Sequence, residues 1–165
     1  MDLETIVIGL FALAVFVLPI LYIQRKQKAK AGKALGNFLA LGEQHQLRLT
    51  QHESWNEFYA IGLDEGQRKL FYLNQQEAQV PPIVVDLTEV KKCEVANEYR
   101  ELNGNRIIDL IGLRLTFRNP AQREQILEFY SKEGNTMLSV ELQLARKWSD
   151  RINAAIATLA RVAVK

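Results

Sequence analysis

The residues able to do chemistry are few and scattered. His45 and His52 are the only histidines in the 165 residues, and Cys93 is the only cysteine. The histidines sit seven apart across a change from helical to strand-like pattern. A zinc hydrolase instead needs two histidines four apart on one helix. They read as surface side chains, and no metal site is expected. A single cysteine forms neither an intrachain disulfide nor a CxxC site, which suits a reducing compartment. Cys93 lies between Lys92 and Glu94, so the alternation that exposes those charges turns the thiol inward. No glycine-rich phosphate loop, GxSxG, HExxH or CxxC occurs. The acids in the strand-like segments have neighbouring cations or exposed positions. The expectation is a protein that is not an enzyme and binds no cofactor.

Charge narrows the partners. Taking the five cations between Arg25 and Lys33 from 21, and Asp2 and Glu4 from 19, leaves residues 34–165 at −1. A nearly neutral domain lacks the basic face that grips phosphate backbones, so nucleic acid is not an expected partner.

The elements that must position any site begin with Thr5 to Ile23, nineteen uncharged residues that as a helix span roughly 28 Å, about one bilayer core. Arg25, Lys26, Lys28, Lys30 and Lys33 follow at once. The reading is a single-pass anchor over residues 1–24, with the lipid bilayer as its partner. By the positive-inside rule the rest of the chain stays cytoplasmic. The same five cations are the candidate membrane-surface contacts. Residues 25–46 form a basic stretch and connector, in which Ala34, Leu35, Phe38, Leu39 and Leu41 recur at helical spacing. This amphipathic helix is expected to pack on the domain or on the membrane surface.

The domain, residues 47–165, reads as α+β. Seven strands are expected at Leu47–Gln51, Glu57–Leu63, Lys69–Asn74, Ile83–Asp86, Lys91–Arg100, Ile107–Arg118 and Arg123–Ser131. In the last hairpin, pairing Leu115 with Leu127 sets Leu113 against Phe129, Arg114 against Glu128 and Arg118 against Glu124. A strict two-residue turn at Asn103-Gly104 would oppose Glu98 and Asp109, so a longer loop or a bulge is expected there. Leu138, Leu142, Ala145, Trp148, Ile152, Ile156 and Leu159 then form one helical stripe, with Ser139 as N-cap and Glu141 in the first turn. Trp148 reads as a core aromatic lying on the sheet.

Seven strands and then one amphipathic helix is the element order of the pleckstrin-homology-like fold. The phrases Trp55-Asn56, AIGLDEGQRKLFYL (60–73), VVDLTEVKKCEV (84–95), LEFY (127–130) and ELQLARKW (141–148) resemble a group of membrane-anchored bacterial proteins. The resemblance implies a bent antiparallel sheet of about seven strands closed by a long C-terminal helix, at a bacterial inner (cytoplasmic) membrane. It carries over no catalytic residues. Phosphoinositide-binding members of the fold have basic residues around the first strand loop. Residues 51–57 here read QHESWNE, with two acids and no Lys or Arg, so no phosphoinositide is expected.

What remains is a tethered interaction or scaffold module with a protein partner. Its candidate contact residues are Trp55, Phe58 and Tyr59 beside the first loop, and Tyr99, Arg100 and Leu102 at an extended hairpin tip. The alternatives are core packing for the first group and a solvated turn for the second. A different function, peripheral lipid contact, would use the juxtamembrane lysines and the connector helix.

Overall fold

Leu70, Phe71, Tyr72 and Leu73 are four apolar residues in one strand, so two point to each face and both faces must be covered. That requirement shapes the molecule. The computed structural model describes residues 3–76, 80–132 and 140–162, apart from the side chains of 3–14, 24, 27, 29, 31 and 159–162. The elements run α1 (Leu3–Gln44), β1 (Gln51–Trp55), β2 (Tyr59–Asp64), β3 (Lys69–Asn74), β4 (Ile83–Asp86), β5 (Val90–Leu102), β6 (Asn105–Phe117), β7 (Gln125–Ser131) and α2 (Glu141–Val162). All strand pairs are antiparallel, β1-β2-β3-β4 in one sheet and β5-β6-β7 in another.

The main core lies between the sheets and α2. Ile61, Leu70, Leu113, Leu115, Phe129, Trp148 and Ile152 are buried there. The opposite face of the four-stranded sheet carries Ala60, Phe71 and Leu73, which pack against Phe38 of α1 and Leu47. Phe38 meets Phe71 at a ring-centroid distance of 5.3 Å. Every residue of β2 is therefore buried. The connector's apolar stripe packs on the domain, so of its two expected surfaces the sheet takes it.

A capped turn holds that helix end. Gln46 adopts a left-handed φ of 58°, while the Leu47 amide reaches Gly42 O at 2.9 Å and the Gln46 amide reaches Glu43 O at 2.8 Å. This is a Schellman ending, which satisfies the last carbonyls of the helix. Leu49 then lies over Gly42 and Gly62, where a Cβ would sit 3.0 and 2.9 Å from its Cδ1. Buried Asp64 accepts hydrogen bonds from the Arg48 amide (2.7 Å) and the Gln67 amide (2.8 Å), tying this link to the β2–β3 turn. The first strand consequently begins at Gln51, not Leu47. The alternation of Leu47 and Leu49 is real, but it serves the layer under α1.

α1 is continuous through Pro19. Among the described residues, no helix is long and apolar enough to cross a membrane. The span expected over Thr5 to Ile23 includes residues 5–14, whose side chains lie outside the described residues. Ser139 and Leu138 also lie outside them.

Two sequence expectations are corrected. The strands form two open sheets, not one bent sheet closed by the helix. Where ladders might have joined them, side chains take the backbone groups: Trp55 Nε1 donates to Phe129 O (2.9 Å) and the Tyr72 hydroxyl donates to Glu128 O (2.5 Å). Asn153 of α2 brackets the Cys93 peptide at the edge of the three-stranded sheet. Second, the β6–β7 register is displaced by two residues, so Leu113 faces Leu127 and Leu115 faces Gln125. Asn119 shapes the connection by accepting bonds from the Ala121 and Gln122 amides (both 3.0 Å). Arg114 accordingly reaches Glu98 (3.5 Å) and Glu124 (3.8 Å), while the expected Arg114–Glu128 and Arg118–Glu124 cross-strand pairings do not form. The expectation of a longer loop or a bulge in the β5–β6 hairpin is met by a bulge: the turn is a two-residue one, with Asn103 and Gly104 at φ 51° and 77°, and the shift between Glu98 and Tyr99 avoids the Glu98–Asp109 opposition. The positive φ of both turn residues is the pattern of a type I′ hairpin.

A shift in the β6–β7 ladder lies at Gly112. A Cβ there would sit 2.6 Å from Leu127 O, a backbone atom of the partner strand. Gly112→Ala is expected to destabilise the fold by about 1–3 kcal/mol, read from the denaturant midpoint. Burial alone would raise the pKa of Asp64, but amide hydrogen bonds from Gln67, Arg48 and Gly66 outweigh it and bring the value below 3.8. The stabilisation is present above the unfolded carboxyl pKa and is lost as pH falls through the lower folded value. Asp64→Asn should cost about 1–3 kcal/mol near neutral pH and remove part of the acid sensitivity, measured by urea unfolding across pH 2 to 7.

Candidate functional site

Trp55 and Tyr59 flank the β1–β2 turn but face inward. Trp55 stacks on Phe129 at 4.3 Å and on Tyr59 at 5.6 Å, and both Trp55 and Tyr59 are buried. The Tyr59 hydroxyl donates to Gln76 Oε1 (2.8 Å). Burial first, then the nearby Glu128 and Glu141 carboxylates, push its pKa up to about 12. These two residues are core, the alternative left open by the sequence. Only Phe58 is exposed, at 43 %. It follows Asn56 and Glu57, both in the left-handed region at φ 51° and 59°. Asn56 Nδ2 donates to Glu141 Oε1 (2.7 Å), closing the turn onto the first residue of α2. Glu141 is buried and complements the positive helix end there.

Beside this turn is a groove of about 270 Å³, with Ala34 and Phe38 of α1 on one wall, Trp55 to Ala60 on the other, and Leu73 and Gln75 completing it. It is mainly apolar and holds no pair of titratable groups poised for proton transfer. Tyr59 apart, the displaced ionisable groups lie elsewhere, within the packing. Cys93 is buried, and desolvation first, then Glu94, raise its pKa to about 12 against a bond involving Ser149 that lowers it. Burial likewise raises the Tyr72 hydroxyl, with smaller effects from Tyr59 and Glu128. A thiol held protonated in a core is not a nucleophile.

Tyr99, Arg100 and Leu102 lie on the other hairpin, where residues 97–106 are all exposed. The Arg106 guanidinium sits 4.8 Å over the Tyr99 ring, and Arg100 pairs with Asp109 at 3.3 Å. The six candidate contact residues are thus divided between two hairpins. Arg25, Lys26, Lys28, Lys30 and Lys33 are exposed on α1. At about 100° per residue they form a partial collar over roughly 200° of the helix circumference, leaving uncovered the face that carries Phe38. It lies between the exposed apolar stretch Val15 to Ile23 and the docked end at Phe38.

Glu53 is a residue the sequence did not single out. It joins β1 to α2 by accepting bonds from Lys147 Nζ (2.9 Å) and Trp148 Nε1 (3.0 Å). Its signal was indirect: a buried indole N–H needs an acceptor, and residue spacing does not name it. His45 lies 5.5 Å from the Phe71 ring, and His52 is exposed on β1. Among the described residues, no group of three His, Cys, Asp or Glu is arranged to hold a metal ion.

No family model matches the chain, and neither a curated protein nor a solved structure matches it.

Native protein should resist iodoacetamide at Cys93 at pH 8 and react in denaturant, read by mass. Because the folded thiol pKa is raised, stability is full below the unfolded value of about 9 and falls as pH rises through about 12. Tyr59 adds the same sign, and rapid native labelling at pH 8 would contradict the packing described.

Proposed function

We propose that this protein is a single-pass, membrane-anchored, non-catalytic interaction module. Its pleckstrin-homology-like domain is held at the cytoplasmic face of a bacterial inner membrane and meets a protein partner there. The observation that carries the reading is the unbroken α1, which runs from the apolar stretch through the basic collar to Phe38, buried on the sheet. From Ile23 to Phe38 the helix rises roughly 22 Å. The domain would therefore stand at a set height above the headgroups.

Seven antiparallel strands followed by one helix agree with the element order of the pleckstrin-homology-like fold. The non-catalytic reading is supported by the placement of Cys93, Tyr72 and Asp64 within packing and turns, away from the groove. A lipid-contact function using the connector helix is less favoured, because the connector's Phe38 is buried on the sheet. The collar remains available to anionic headgroups, a contact that assists topology.

Expressed in bacterial cells, the full chain should stay in the membrane pellet after an alkaline carbonate wash, with its domain protected from protease added to intact spheroplasts. Release in the wash would remove the anchor, and digestion in spheroplasts would reverse the topology. Changing Arg25, Lys26, Lys28, Lys30 and Lys33 together to Glu should raise the protease-sensitive fraction.

A further inference from the structure

The β5–β6 hairpin outruns the sheet it belongs to. The last β7 residue paired with it, Ser131, lies opposite Leu110, and the ribbon continues from there to the turn at Asn103-Gly104. Its β5 side is an open edge. α2 covers that edge at one peptide: the Cys93 amide donates to Asn153 Oδ1 (3.0 Å), and Cys93 O accepts from Asn153 Nδ2 (2.7 Å) and from the Ser149 hydroxyl (3.1 Å). Cys93 therefore turns its backbone groups away from β6. Antiparallel ladders alternate, so Val95, Asn97, Tyr99 and Glu101 do the same. The other end of the strand gives the same phase. Leu102 and Asn105 flank the two-residue turn as the inward-bonded pair, which again turns Glu101 outward. The extra residue of the bulge, Asp109, lies on β6 and leaves the phase of β5 unbroken.

Open edges of this kind are ordinarily blocked by lysine, proline or a covering element. From Val95 to Leu102 this one has neither Lys nor Pro. Among the described residues, nothing bonds to it beyond Cys93.

We infer that this edge pairs with the same edge of a second copy of the chain, antiparallel about a two-fold axis at Tyr99. An axis through an odd- or an even-numbered residue sets outward residues opposite each other, but an axis at Glu98 or Arg100 would set two glutamates or two arginines directly opposite, and like charges there repel. An axis at Asn97 would set Glu101 of one copy against Cys93 of the other, where Asn153 already holds the backbone. An axis at Glu101 would set two glutamates directly opposite, and like charges there repel. At Tyr99 the pattern is complementary. Each Glu98 faces the second copy's Arg100, each Asn97 faces a Glu101, and the two tyrosines face each other.

Contacts within each copy extend the pattern. Arg100 already lies 3.3 Å from Asp109, and Glu98 lies 3.5 Å from Arg114. Across the joined ribbons one face then reads Asp109, Arg100, Glu98, Arg114, with the sign alternating at each step and the copy changing between Arg100 and Glu98. Three hydrogen-bonded residue pairs supply about six backbone bonds. That is a weak interface in dilute solution, and confinement to a membrane raises its effective concentration. The inference rests on the proposed tether for that concentration alone; the edge and its charge pattern are independent of it.

The test uses the full chain in membranes carrying Tyr99→Cys, with native Cys93 buried. Directly opposed residues of a hydrogen-bonded pair have Cα atoms about 5.5 Å apart, within disulfide reach. In this register Asn97 lies roughly 13 Å from its own copy, beyond that reach. Mild oxidation should give covalent dimer at Tyr99→Cys at about ten times the yield at Asn97→Cys. In the Tyr99→Cys background, Glu98→Arg alone and Arg100→Glu alone should each lose the product, since each sets like charges opposite. Co-expressed with different tags, the two variants should recover it as the mixed dimer. Equal yields at positions 97 and 99, no product, or a product unaffected by the charge variants would each overturn the pairing. Fractionation of the same samples separates the two proposals. Product from chain in the soluble fraction keeps the pairing and removes the anchor, while pelleted chain without product does the reverse.

Discussion

The contact on which the architecture depends is Phe38 against Phe71. Because β2 and β3 are apolar on both faces, a two-layer domain of sheets and α2 would leave Phe71 and Leu73 in water. Burying a side chain of this size contributes about 1.5–3 kcal/mol, so the outer layer outweighs any exposed ion pair, at about 0–1 kcal/mol each. α1 is therefore structural as well as a candidate tether. Its final turns belong to the domain, and the Schellman ending, Leu49 over two glycines, and Asp64 bonded to Arg48 secure the attachment.

The sheets meet through side chains instead of a continuous ladder. An indole and a phenol satisfy the backbone carbonyls of Phe129 and Glu128 across the sheets, while an amide side chain of α2 holds the peptide of Cys93. The first two are directional and run from one sheet to the other, so the reach of Trp55 and Tyr72 helps set the angle between the sheets. Cys93, bracketed by Asn153, marks the point at which α2 stops protecting β5. Beyond it the strand continues as a ribbon without cover.

Strand number, the bounds of β3 and β4, and the inward face of α2 were legible because short apolar runs between turn signals, and a stripe at helical spacing, have few other solutions. The β6–β7 register was not. Displacing that pairing by two residues keeps every side chain on its face, so the apolar pattern fits both registers, and the bulge near Gly112 with the Asn119 turn selects one. The first strand was misplaced because Leu47 and Leu49 alternate as a strand would while serving another layer. Among the candidate contacts, Phe58, Tyr99, Arg100 and Leu102 are on the surface, whereas Trp55 and Tyr59 are not. An aromatic beside a loop reads alike whether it points in or out, and only the position of Phe129 decides between them.

The unbroken α1 has a geometric corollary. A flexible linker lets a domain rotate freely about its attachment, but a helix fixes azimuth as well as height. One residue added between Ile23 and Ala34 would lift the sheets by about 1.5 Å and swing them by about 100° around the helix axis. Under the proposed anchoring, the number of residues in the collar would set which side of the domain looks along the membrane plane and which looks away from it.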